Sequence, residues 1–425
     1  MGGWLNTTVS LIASIVGYFN RKKAKRRISR INEYNRNVQI WGNTSPDQII
    51  PCNFQMGNIS ISGGTEAIRN GLIVQNCKQS VSVGVPTIII HEGNHLLEQM
   101  SQATFSGYRY LRIINPSNPF YDPLFRLNDM EIGHFISDSS PKDHKVDSSG
   151  ALYIKALSTI LRRCGITPYV RMLTHCPHGS INNMIAKLEH SGVLNADEAD
   201  RLRHEVSLGS NVQADVEYFF QQLGIESSIL AWKSNLSGCT SISECILKKG
   251  IMAIDITSCG RLNQLALIST DIEYCARTGV PFRVIIDAVS FSGSEKLIQV
   301  LKKSSNSVAW TITSSDMDRM LGNTQGELAT WLALSHRAVL FSHGIKTCEL
   351  LSAELGEYEH IDVVESRAGN NYIGKIGYHY GDNSSFSTSA ERKRVIQPEE
   401  IQSLGNNGFI MLDNYARSIS KGTLV

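Results

Sequence analysis

"ISISGGTEAIRNGLIVQN" (59–76) is the stretch from which the rest of the chain is best read. A short β-branched run meets a Gly-Gly turn, and a helical pattern follows. Strand, glycine turn and helix make the layout of a phosphate-binding loop, GxxxxGK[ST]. In such a loop, glycines let backbone N–H groups wrap the phosphates, lysine reaches the outer phosphates and the hydroxyl binds Mg2+. Here the eight residues are Gly63, Gly64, Thr65, Glu66, Ala67, Ile68, Arg69 and Asn70. Ile68 stands where the second glycine belongs, Arg69 where the lysine belongs and Asn70 where the hydroxyl belongs. Arg69 keeps the charge on a bulkier planar fork. Ile68 resists the positive φ that glycine allows, and Glu66 adds negative charge. Read alone, the stretch favours a plain strand-to-helix turn.

The chain around it alternates regularly. Apolar, β-branched runs occur at "GVPTIII" (84–90), "GIMAIDIT" (250–257), "PFRVIID" (281–287), "SVAWTIT" (307–313) and "RAVLFSH" (337–343). Between and after the last four lie the helical patterns "QLALISTDIEYCARTG", "SEKLIQVLKKSS", "GELATWLALSH" and "TCELLSAELGE". Continuous apolar strands separated by helices argue for a parallel sheet covered on both faces. Residues 131–240 break the rhythm with helices alone: "ALYIKALSTILRR", "INNMIAKLEH", "ADEADRLRHEVS" with Asn195 as its cap, and "ADVEYFFQQLG". The simplest architecture is an α/β core split by an all-α insertion.

Composition agrees with a folded body. The 425 residues are long enough for a large core and two or three domains, and 42% hydrophobic with 19% charged residues excludes global disorder. A net charge of +2 carries no global nucleic-acid signature. The nine cysteines are scattered without a CxxC pair, which fits reduced thiols in a cytosolic body. Charge is concentrated at the N-terminus, where "WLNTTVSLIASIVGYF" (4–19) precedes six basic residues within 21–27. Leu5, Val9, Ile12, Val16 and Phe19 form one helical stripe. The run is short for a full span, and a basic block placed after it does not suit a cleaved signal peptide. It reads as a short anchor or interfacial helix whose basic block faces anionic lipid; a soluble amphipathic helix with a solvated tail is the alternative.

Two further motifs bear on chemistry. "FRVIIDAVSF" (282–291) is an apolar strand ending in Asp287, like a Walker B strand, whose acid holds Mg2+. The following position, where a glutamate would polarise the attacking water, is Ala288. "IIIHEGNHLL" (88–97) contains HExxH, and His91 and His95 one turn apart on a helix would bind zinc while Glu92 activates water. Gly93 in the middle and the strand-like "PTIII" before it favour a strand end and a loop instead. "HCPH" (175–178) is interrupted by proline and reads as a surface loop.

The order of these signals resembles the TraG/TraD-type coupling proteins, RecA-like ring ATPases of conjugation and type IV secretion. "GLIVQN" follows the loop as the family's first helix does, and "IIIHEG" occupies the strand that usually ends in D-x-K-G. "INPSNPFYDPLFRLNDMEIGHFISD" (114–138) is similar to the asparagine-proline segment leading into the family's α-domain. "DMDRMLG" resembles the helix after the sensor strand, and "KTCELLSAELGEYE" the segment after the next strand. "SSFSTSAERKRVIQPEEIQSLGNNGFIML" (384–412) is similar to the family's tail. The resemblance spans about residues 46–415.

The resemblance implies a RecA-like P-loop core with a mainly parallel sheet. It divides the chain into an N-terminal membrane-associated helix and basic linker (1–45), a first part of the core (46–130), an all-α domain (131–240) and a second part of the core (241–425). The degenerate nucleotide site comprises Gly63, Gly64, Thr65, Arg69, Asn70 and Asp287, and the sensor glutamine falls near Ser314 or Ser315. With Ala288 in the base's place, efficient turnover is not expected, and two cofactor readings stay open, weakly bound ATP and Mg2+ or none. The implied role is assembly or substrate recognition in DNA or protein transfer, on the cytoplasmic side of a bacterial cell membrane or in the cytoplasm. The implied partners are type IV secretion or relaxosome components, DNA, and lipid through residues 4–27. A hexameric ring and a mixed ring with an active paralogue both stay open. So do an active DNA-translocating ATPase of the same family and a zinc metalloprotease built on His91, Glu92 and His95.

Overall fold

The computed structural model describes residues 22–51, 56–108, 110–141, 144–174, 176, 178–211, 213–226, 229–232, 237–257, 261–289, 295–303, 307–321, 326–374 and 377–425. For residues 174, 178, 210, 224–226, 261–263, 319 and 363–387 it describes the backbone alone. The chain divides into two compact units, Thr44–Val339 with Val425, and Met1–Asn43 with Leu340–Leu424. Its strands in chain order are β1 (Val38–Thr44), β2 (Ile59–Ser62), β3 (Thr87–His91), β4 (Leu111–Ile114), β5 (Ile251–Asp255), β6 (Phe282–Asp287), β7 (Val308–Ser314), β8 (Arg337–Leu340), β9 (Glu357–Gly374), β10 (Gly377–Arg394), β11 (Gly408–Asp413) and β12 (Ser418–Leu424).

In the larger unit the sheet runs in the order β8-β2-β7-β6-β3-β5-β4. The pairs β2–β7, β7–β6, β6–β3, β3–β5 and β5–β4 are parallel. Every residue of β2, β3, β5, β6 and β7 is buried. That is why β3, β5 and β6 read as near-continuous apolar runs, while the alternating Ile59-Ser60-Ile61-Ser62 of β2 buries its serines as well. Helices cover the sheet, and Ile73, Val74 and Cys77 from one helix and Leu97 and Phe105 from another pack on Ile89, Ile251, Ala253 and Ile285. The Cys77 thiol is pushed up to about 12 by this burial. Besides Asp287 at its end, β6 carries a second buried polar residue, Arg283. It is 1% exposed and donates to Ser80 Oγ, Gly57 O and Thr311 Oγ1, and burial lowers its guanidinium to about 10.

Register decides where chemistry can sit. Ser62 pairs with Ser314, Thr313 with Asp287, Asp287 with His91, and His91 with Asp255. One row of polar side chains therefore crosses the carboxyl ends of the parallel strands, the edge at which open α/β sheets bind their ligands.

Between β4 and β5 the described residues form helices and no strand. Asn195 caps Ala196–Leu208, its side chain accepting from the Glu198 amide at 2.8 Å while Glu198 reaches back. The helices Asp129–Ser139 and Ser148–Arg163 touch so closely that a Cβ at Gly133 would lie 2.3 Å from the Ala151 carbonyl oxygen. Only glycine permits that approach.

The smaller unit joins the two ends of the chain. A helix over 22–36 exposes Lys22, Lys23, Lys25, Arg26 and Arg27. Its other face is fastened by Asn32, which exchanges hydrogen bonds with the backbone of Ile361, and by Arg36, which donates to Val395 O and pairs with Glu400 at 2.5 Å. β9 and β10 form an antiparallel hairpin registered from Glu357↔Arg394 to Gly374↔Gly377. β12 lies between β1 and β11 and is antiparallel to β11. No helix among the described residues is long and apolar enough to cross a membrane, and the expected anchor at 4–19 lies outside them.

Candidate functional site

The glycine turn starts where β2 stops. Gly63 and Gly64 take φ of +83° and +70°, conformations that cost an L side chain about 1–2 kcal/mol. Thr65 then caps a helix that has begun by Glu66 and runs to Ser82. Positions that would still be loop in a phosphate cradle are therefore already helical. The Gly63 amide donates to Ser314 O at 2.9 Å, and the Ile68 amide to the Thr65 hydroxyl at 3.4 Å. Arg69, 7% exposed, folds back over the turn and donates Nη1 to Gly64 O at 2.8 Å and to Gly63 O at 3.4 Å. Its guanidinium thus closes the turn from within, leaving Nε buried without a hydrogen-bond partner.

Asn70 and Asp287 are brought together by a residue that the sequence did not single out. Asn94 donates Nδ2 to Asn70 Oδ1 at 2.8 Å and to Asp287 Oδ2 at 2.5 Å, while its Oδ1 accepts from Asn70 Nδ2 at 3.1 Å. The same oxygen accepts from the Leu97 amide at 2.9 Å and so caps the helix His95–Phe105. Asp287 also accepts from the Thr313 hydroxyl through its other oxygen. Both carboxylate oxygens of the Walker-B-like acid are thus occupied by uncharged donors. Ala288 follows at φ +57°, with its amide bonded to Thr313 O at 2.8 Å. Of the expected sensor positions, Ser314 exchanges hydrogen bonds with the backbone of Asp316, and Ser315 is exposed.

The HExxH spacing does not form one turn of a helix. His91 is the last residue of β3, Gly93 turns the chain at φ +69°, and the next helix begins at His95. His91 is 0% exposed, whereas the His95 ring is 72% exposed and Glu92 lies in the turn. This corrects the helical zinc geometry for His91, Glu92 and His95: a left-handed glycine cannot carry a helix through their midst. His91 instead faces Glu98, with Nε2 to Oε1 at 3.5 Å, and Asp255, with Nδ1 to Oδ1 at 4.0 Å. Burial pushes the imidazole below its ordinary value, against the pull of Asp255 and Glu98. Burial likewise opposes ionisation of Asp255, but hydrogen bonds from Thr257 and the Gly93 amide outweigh it and lower the carboxyl. The signal for Asp255 was present in "GIMAIDIT", an apolar strand ending in an acid as β6 does. Within "HCPH", His175 and Pro177 lie outside the described residues, and Cys176 is buried.

No protein-family model matches the chain, and no curated protein matches it in sequence. Solved structures do match its fold. The unbound monoclinic form of the bacterial conjugative coupling protein TrwBdeltaN70 aligns over 94% of this chain and 91% of its own, with a TM-score of 0.51 at 17% identity. The chain has the fold of a conjugative coupling protein. The plasmid coupling protein TrwB in complex with the non-hydrolysable GTP analogue GDPNP gives a TM-score of 0.50 at 17% identity, over 94% of this chain and 92% of that one. Its complex with the ATP analogue ADPNP gives 0.50 at 18% over the same shares. The RecA-like core expected from the order of motifs is therefore present, with the glycine turn, Asp287 and Ser314 at neighbouring strand ends.

Proposed function

We propose that this chain is a coupling-protein-like component of a conjugative or type IV secretion system, acting in assembly or substrate recognition with a hydrolysis-deficient nucleotide site. One observation carries the second half of that reading. The Arg69 guanidinium is bonded to the carbonyls of the turn it would have to leave in order to meet a phosphate. The surrounding groups point the same way. The Gly63 amide is already engaged, Asn70 and Asp287 are tied through Asn94, and Ala288 has no group able to take a proton from water. These residues do not fit a bound Mg2+–ATP unless Arg69 and Asn94 both let go. Loss of a general base alone costs about 10²–10⁴ in rate, and loss of the phosphate clamp removes further electrostatic stabilisation.

The fold supports the first half by analogy, which licenses fold more firmly than function. In this reading residues 46–130 and 241–425 make the core. Residues 131–240 form the helical surface for relaxosome components, DNA or transferred protein. The exposed cations of 22–27 face anionic lipid on the cytoplasmic side of the membrane. A subunit that still packs can occupy a ring without turning over, whether the ring is hexameric in this chain or shared with an active paralogue. ATP hydrolysis by the purified full-length chain, with and without single-stranded DNA, tests the proposal. Release of phosphate at background rate is expected; turnover of about 1 s⁻¹ or more, the usual enzyme range, refutes the hydrolysis-deficient site.

A further inference from the structure

One cluster at the strand ends is used neither by the glycine turn nor by the Asp287 bridge. His91 ends β3, Asp255 ends the adjacent β5, and Glu98 rises from the first turn of His95–Phe105. One imidazole nitrogen and one oxygen from each carboxyl group lie within 4.8 Å of one another. The three residues are 0%, 1% and 9% exposed. Among the described residues no lysine or arginine pairs with either acid. Among the described residues their hydrogen-bond donors are neutral: the Gly93 amide and Thr257 on Asp255, and Asn115 on Glu98. Buried carboxyl groups ordinarily meet a cation, either a side chain or a metal. His91 supplies a second, independent sign. Its Nε2 is fully buried and lacks a hydrogen-bond partner, although Glu98 Oε1 lies 3.5 Å away.

We infer that His91, Glu98 and Asp255 bind a divalent transition-metal ion that pins the tips of β3 and β5 to the helix His95–Phe105. One imidazole nitrogen and one oxygen from each acid, gathered within 4.8 Å of one another, need only small side-chain shifts to close on an ion at Zn–N and Zn–O distances of about 2.0–2.2 Å. One imidazole with two carboxylates suits Zn2+ or Mn2+, whereas Mg2+ prefers an all-oxygen shell. Two carboxylates balance the charge of the ion, and three protein ligands leave a position for water. Nε2 has no hydrogen bond to give up in taking an ion. The site is separate from the nucleotide reading and stands whether or not ATP is turned over.

The test uses the full-length chain, stripped with a chelator and dialysed against Zn2+ or Mn2+. Elemental analysis should find one equivalent per chain, and whichever ion is retained after competition identifies the metal. Asp255→Asn and Glu98→Gln should each weaken retention tenfold or more, while His95→Ala leaves it unchanged. X-ray absorption should place one nitrogen and carboxylate oxygens around the ion. No stoichiometric metal, or equal retention in the Asp255→Asn/Glu98→Gln double variant, overturns the site. Should that double variant fail to fold, Co2+ titrated into the wild-type chain decides: d–d bands saturating at one equivalent support the site, and their absence overturns it.

Discussion

Replacing Asn94 tests whether one amide holds the strand ends together. In Asn94→Ala the helix His95–Phe105 loses its cap, worth about 1 kcal/mol. Asp287 loses a charge-assisted hydrogen bond of about 1.5–3 kcal/mol, and the Asn70 amide loses its reciprocal partner, about 1 kcal/mol more. Asn94 is 7% exposed, so water does not readily replace these contacts. The sum is about 4 kcal/mol. Unfolding entropy for a unit of roughly 300 residues is about 0.6 kcal/mol/K, so the transition should fall by about 6 °C. Asn94→Ser keeps a capping oxygen but is too short to bridge Asn70 and Asp287. It should recover about 1 kcal/mol, leaving a loss of about 5 °C. Scanning calorimetry of the full chain reads both values. A drop below about 2 °C for Asn94→Ala, on the same scale, would refute the bridge, and equal losses in the two variants would refute the cap.

Two other outcomes test the fold around the site. Asp271 and Asp122 are buried and their carboxyls are raised to about 7 by desolvation, although Tyr121 and the Ile242 amide hydrogen-bond Asp271. The folded state then binds protons that the unfolded chain has released, so the contribution of these two groups to stability is full below about pH 4 and is lost as pH rises through about 7. Asp271→Asn, which keeps an acceptor for Tyr121 and Ile242, should flatten that fall in urea midpoints measured across the window; an unchanged slope would sink the assignment. Gly133→Ala places its Cβ 2.3 Å from the Ala151 carbonyl and should cost about 1–3 kcal/mol as the two helices separate, read from the same denaturant midpoint. A shift within error would mean that the helices are not so close.

Much of the fold was legible because its signals are local. Buried parallel strands must be apolar on both faces, so β3, β5, β6, β7 and β8 stand out as continuous runs. The Asn195 cap is visible in the same way. β9 and β10 were not found, since sequence such as "SRAGNNYIGKIGYHYGDNSS" lacks apolar alternation and gains its regularity from the partner strand. At the site, the replaced residues Ile68, Arg69, Asn70 and Ala288 could be read off directly. What Arg69 does could not, because the early helix start at Glu66 places it, and helix boundaries are weakly encoded. Asn94 and Glu98 were hidden for another reason. Their partners lie up to 193 positions away, and no spacing rule spans such a separation.

The smaller unit also fixes an order of events during synthesis. Its parts come from Met1–Asn43 and Leu340–Leu424, so Asn32 and Arg36 leave the ribosome long before Ile361, Val395 and Glu400 exist. At about 5–20 residues per second, the closing segment follows the larger unit by on the order of ten seconds. Through that interval Asn32 and Arg36 wait for their partners, and the helix over 22–36 is fastened only once residues 361–400 have emerged.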